Sequence, residues 1–139
     1  MGEAPRGTAV TIALLWLSVA GIAAYWLTFF SNVSTANWDR RYVVFEQAFP
    51  PADAMLALSA AAAAIALHRR SGGAVTWGLF AAGQFCFLGL LGAAYNLQQG
   101  GYDSSLAMLA ELWVNAFCLA IAAWLVAFLG RHRRMFEGS

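Results

Sequence analysis

The sequence predicts an all-α fold, an integral membrane four-helix bundle with its N- and C-termini in the cytoplasm. Three observations carry that reading. Hydrophobic residues make up 61% of the 139-residue chain and charged residues 11%, far from the balance of an ordinary soluble domain. Apolar segments recur at a length of about 18 to 25 residues, which a helix rising about 1.5 Å per residue needs to cross about 30 Å of hydrocarbon. The arginines, finally, alternate in density between successive segment ends.

Four spans are expected, at Thr8 to Phe30, Pro51 to His68, Ala74 to Leu97 and Leu106 to Leu129, forming a single domain over 1–139. In the order of the chain, the first resembles a secretory signal at its start. A signal's apolar core stops after about 7 to 15 residues, however, and this run continues past Ala23 and Ala24 to Phe30, so a retained span is expected. Ser18, Gly21, Tyr25 and Thr28 follow 3,4,3 spacing and share one face, the one expected to turn toward the other helices. Tyr25, Trp26, Phe29 and Phe30 mark the far membrane interface.

The connection 31–50 is the most polar part of the chain. Asn32-Val33-Ser34 matches a glycosylation sequon, a short pattern common by chance. Residues 42–49 are too few and too polar to span, and are expected to lie at the interface or re-enter it. The stretch from Tyr42 to Asp53 then organises the chain: it carries Glu46, Asp53 and the Pro50-Pro51 pair that opens the second span. Proline fits a helix start because its fixed φ is already helical and its missing N–H would go unused there. Asp53 falls in the first turn, where a carboxylate suits the free N–H groups and the positive end of the helix dipole.

Within the second span Asp53, Ala57, Ala60 and Ala64 make a narrow stripe that permits close helix approach. His68, Arg69 and Arg70 end it, and Ser71-Gly72-Gly73 is expected to turn. The third span has Gly78, Ala82, Cys86, Gly89 and Ala93 on one face, with Gln84 off that stripe and Tyr95 and Asn96 near its end. A link containing Asp103 leads to the fourth span, where Glu111, Asn115, Cys118 and Ala122 share a face. Arg131, His132, Arg133 and Arg134 close it.

Arg6, Arg69, Arg70, Arg131, Arg133 and Arg134 then fall on one side of the membrane, against Arg40 and Arg41 on the other. Basic residues near span ends mark the cytoplasmic side, so a bacterial inner membrane protein with cytoplasmic ends is expected. All eight basic residues being arginine, beside abundant Ala and Gly, supports the bacterial reading. A formal net charge of +1 with no basic face gives no reason to expect nucleic acid. Cys86 and Cys118 are not in a Cys-x-x-Cys arrangement and His68 and His132 lack a second ligand at usable spacing, so no metal and no cofactor is expected.

With this topology the polar groups converge on one half of the bundle. Tyr25, Trp26, Glu46, Asp53, Tyr95, Asn96, Glu111 and Asn115 are the candidate ligand-binding residues, and Glu46, Asp53 and Glu111 the candidate catalytic ones. Glu111 stands out, because a carboxylate a turn inside a span costs several kcal/mol unless it is paired or neutral. Arg40 or Arg41 folded down from the loop would pair with it, and Asn115, one turn on, would hydrogen-bond it. Each has a plain structural reading too, Asp53 as a helix-start charge and Glu46 as a loop residue.

Three functions fit these residues. One is a module that binds a lipid, isoprenoid or other apolar small molecule, or serves as an accessory subunit of a larger membrane complex. Another is a membrane-embedded enzyme of isomerase or cyclase type acting on an isoprenoid or sterol-like substrate. There, Glu46, Asp53 or Glu111 would be the general acid, and Tyr25, Trp26, Tyr95 and Trp113 would stabilise a developing carbocation. A third is a transporter or channel subunit, which with four helices requires a homo-oligomer. The layout, with an acidic and proline-containing start to the second span, resembles the sterol-isomerase and sigma-2-receptor type of membrane fold. The resemblance covers layout alone, and no functional residue is carried over on it.

Overall fold

The computed structural model of the chain describes residues 5–32, 40–100 and 106–137, and of Arg41, Tyr42, Leu106, Ala107 and Glu137 the backbone only. Expectations that fall on the sequon's Val33 and Ser34, on Asp103 and on the side chains of Arg41 and Tyr42 lie outside the described residues. Among the described residues five helices follow one another: α1 Thr8–Asn32, α2 Arg40–Glu46, α3 Pro50–His68, α4 Gly73–Gln98 and α5 Leu106–Glu137. There is no strand among the described residues. All but α2 contain a stretch that by length and composition is apolar enough to cross a membrane, four candidate spans that suggest a multi-pass membrane protein.

α1 packs along α3, α3 along α4 and α4 along α5. The shared core takes Leu56, Ala60, Ala63, Ala64 and Leu67 from α3, Ala74, Ala81, Ala82 and Phe85 from α4, and Ile121, Leu125 and Leu129 from α5. Lipid tails are as apolar as these side chains, so helix association in a membrane rests on close packing, which small residues permit. Two glycines show it. A Cβ on Gly78 would strike Cδ1 of Leu129, and one on Gly89 would lie 2.9 Å from Cγ of Leu119. α5 thus sets its leucines directly against the α4 backbone.

Side-chain hydrogen bonds tie one of these pairs and add a link between α5 and α1. Gln84 Nε2 donates to Ser59 Oγ at 2.9 Å between α4 and α3, which explains a polar residue off the small-residue stripe. Trp124 Nε1 donates to Thr11 Oγ1 at 3.0 Å and closes α5 against the start of α1. Beside that bond, a Cβ on Gly7 would be 3.5 Å from both Trp124 and Phe128.

The turn after α3 is built differently from the glycine turn that its sequence invites. Arg70 takes the left-handed conformation at φ 53, and Ser71 N–H reaches back to Ala66 O at 3.0 Å. That pattern terminates the helix at His68, ahead of the glycine pair. Gly72 instead leaves room for Phe136, whose carbonyl oxygen would be 3.4 Å from a Cβ there. This docking buries the Phe136 side chain and accounts for α5 continuing from Leu129 to Glu137.

Candidate functional site

α3 starts as its prolines dictate, with Pro50 and Pro51 in the first turn and Asp53 N–H bonded to Phe49 O at 2.9 Å. No side chain caps this helix start. The Asp53 carboxylate turns away from its own helix and accepts a hydrogen bond from Trp26 Nε1 at 2.8 Å. Trp26 belongs to the aromatic group at the end of α1, with its ring centroid 5.1 Å from that of Tyr25 and 5.3 Å from that of Phe29. An interfacial tryptophan commonly keeps its N–H for a polar partner, and here the partner is a carboxylate.

α2 lies across this end of the bundle and is fastened on two sides. Tyr25 O–H donates to Glu46 Oε2 at 2.8 Å, which ties it to α1. Phe45 stacks on Tyr95 of α4, with ring centroids 4.2 Å apart and planes within 9°. Phe45 also meets Phe49 edge to face at 4.9 Å.

Beneath α2 is a cavity of about 530 Å³. At the α2 end its wall carries Tyr25, Phe45, Glu46, Asp53, Asn96 and Glu111, and farther down it carries Leu17, Ile22, Leu56, Phe85, Leu88 and Phe117. The space is therefore polarised along the bundle axis. Glu111 is hydrogen-bonded by the Asn96 side chain from α4. Asn115 is 6% exposed and sits against Gly92, where a Cβ would strike its Oδ1. Gly92 is thus what allows the amide to stand in the wall.

Seven of the eight candidate ligand-binding residues line this one cavity: Tyr25, Glu46, Asp53, Tyr95, Asn96, Glu111 and Asn115. Trp26 stands one hydrogen bond behind it. The three candidate acids are arrayed around the same space, each held by a donor from another helix: Tyr25 for Glu46, Trp26 for Asp53 and Asn96 for Glu111. Arg40 is exposed on α2.

The liners that the sequence does not single out are Leu17, Ile22, Leu56, Phe85, Leu88, Gly92, Val114 and Phe117. Phe85, Gly89, Gly92 and Asn96 do follow 4,3,4 spacing, a face ending in a polar residue, and that was the available signal. Among the described residues, no group of three or more His, Cys, Asp or Glu is placed to hold a metal ion.

No family model, curated protein or solved structure matches this chain. Function must therefore be argued from the cavity.

The arrangement offers an amphipathic molecule an apolar sleeve and a polar end. In that polar end Tyr25, Trp26 and Asn96 already spend donors on carboxyl groups. Tyr95 and Asn115 stand in the same wall, so the polar end carries hydroxyl and amide groups beside the three carboxyl groups.

Proposed function

We propose that this protein binds a lipophilic small molecule with one polar end, of isoprenoid or lipid type, inside the membrane. The observation that carries the proposal is the polarised cavity of about 530 Å³ under α2, within the range of about 300 to 1,000 Å³ usual for small-molecule sites. The protein would sit in a bacterial inner membrane with the α2 end outward and both chain ends in the cytoplasm. The excess of arginine at the opposite end supports that orientation. Gentle release from the membrane followed by native mass spectrometry tests the reading. A single retained lipophile per protein is expected; attachment to a larger complex with an empty cavity would favour an accessory subunit instead.

A second reading is favoured by one feature, the three carboxyl groups fixed around one apolar space. In it the protein is an isomerase or cyclase on an isoprenoid or sterol-like substrate, with Glu46, Asp53 or Glu111 as general acid. Glu46→Gln, Asp53→Asn and Glu111→Gln separate the two. Loss of turnover of a retained lipophile with binding intact supports the enzyme, whereas turnover unaffected by all three changes sinks it.

A further inference from the structure

The cavity has a side, and the way the helices pack says which one is open. α1 and α5 are joined at one end by the Thr11 to Trp124 hydrogen bond and by Gly7 against Trp124 and Phe128. The two helices run in opposite directions, so that bond fixes a register. Seven residues on from Thr11 is Ser18, and seven back from Trp124 is Phe117; three further on each are Gly21 and Val114. In that register, α1 and α5 would pack along the whole bundle if they lay side by side. Helix packing runs from α1 to α3, α3 to α4 and α4 to α5, and the residues due to meet line the cavity instead. Ser18, Gly21, Val114 and Phe117 are all cavity walls.

The lips of this gap face outward. Leu17 is 61% exposed and Trp113 75%, at bilayer depth, where exposure means contact with acyl chains. A Cβ on Gly21 would meet nothing within 4 Å. The α2 end, by contrast, is strapped: Tyr25 holds Glu46 from α1 and Phe45 lies on Tyr95 from α4.

We propose that the gap between α1 and α5, with Gly21 on its α1 side, is a lateral portal through which a bilayer-dissolved lipophile passes into the cavity. The portal rests on the binding reading above and adds a route and a class to it. The ligand is a molecule that resides in the membrane, and it leads with its apolar part past Leu17, Gly21 and Val114. Its polar end stays nearer the α2 side, where Glu111 and Asn96 stand. Absence of a side chain at Gly21 is what keeps the passage wide, because any larger residue on that face of α1 projects into it.

The test uses all-trans-retinol, a fluorescent isoprenoid alcohol, and the full chain in phosphatidylcholine nanodiscs, with uptake followed by energy transfer from tryptophan. The variants are Gly21→Phe at the portal and Gly83→Phe on the outer face of α4. Both glycines have open space at the Cβ, so both variants keep the fold, checked by circular dichroism and gel filtration. Leu17→Trp, on the same lip one turn away, is the second portal variant. Gly21→Phe and Leu17→Trp are expected to slow uptake and release at least tenfold, and Gly83→Phe to match the unmodified protein. Uptake by both portal variants at the Gly83→Phe rate overturns the portal. So does a loss of amplitude at unchanged rate, which means that the added ring fills the binding volume and not the way in. No uptake by the unmodified protein overturns the binding reading, and the portal with it.

Discussion

Trp26 and Asp53, 27 residues apart in the chain, are joined by a 2.8 Å hydrogen bond from the indole N–H to the carboxylate. It fixes the end of α1 against the first turn of α3 at the rim of the cavity. Trp26→Phe keeps the ring and its contacts with Tyr25 and Phe29 but removes the donor. A half-buried acceptor then loses its partner, a cost of about 1 to 3 kcal/mol. A matching loss of stability in detergent denaturation is expected, and an unchanged midpoint would show that the bond is not maintained in solution.

Tyr25→Phe tests the strap from α1 to α2. The ring stays and the bond to Glu46 Oε2 goes. Because α2 is only seven residues long, it holds its place through Glu46 and through Phe45 on Tyr95. Faster hydrogen exchange confined to the amides of residues 40–49 is expected in the variant, by several-fold, with α3 and α4 unaffected. Equal exchange in both proteins would assign the fastening to the Phe45 stack alone.

Much of this architecture is legible in the sequence because the bilayer makes its demands locally. A span must satisfy its own backbone and carry about 20 apolar residues, so each of the four announces itself within its own segment. The small-residue stripes are legible for the same reason: Gly78, Ala82 and Gly89 pack in α4 as their spacing indicates. Gly21 shows the limit. Ser18, Gly21, Tyr25 and Thr28 form a stripe of the same kind, yet Ser18 is buried, Gly21 faces open space and Thr28 is exposed. A glycine that admits a neighbouring helix and one that leaves a gap look alike in one dimension. Helix spacing puts Asn115 within reach of Glu111, but the hydrogen bond to that carboxyl comes from Asn96 of α4, a pairing that only the docking of two helices decides.

Gly92 and Gly83 make a matched pair for the cavity wall. A methyl group at Gly92 would collide with Asn115 Oδ1, whereas one at Gly83 meets nothing within 4 Å. Gly92→Ala therefore has to push the amide or its helix aside, and overpacking of this kind costs about 1 to 3 kcal/mol. Gly83→Ala should be neutral or slightly stabilising, since alanine is the better helix former. Retention of retinol should fall in Gly92→Ala and hold in Gly83→Ala. Equal stability and equal retention would mean that Asn115 moves freely and contributes no fixed wall.

The arginine asymmetry predicts which end of the bundle meets the cytoplasm, and single cysteines read it out. Cys86 and Cys118 are half-buried within spans, so Cys86→Ala with Cys118→Ala provides a background without thiols. Ser71, in the turn between α3 and α4, and Gln99, just past the end of α4, are both exposed and stand at opposite ends of one helix. Arg69 and Arg70 flank the first, while Gln98, Gln99 and Gly100 carry no charge. Basic residues beside a short loop are held back from translocation, so Ser71 belongs inside and Gln99 outside. A membrane-impermeant maleimide added to intact bacterial spheroplasts should therefore label Gln99→Cys and reach Ser71→Cys only after lysis. The opposite pattern would turn the bundle over and place α2 and the polar end of the cavity toward the cytoplasm. A lateral route between α1 and α5 is insensitive to that inversion, because the gap opens at bilayer depth in either orientation.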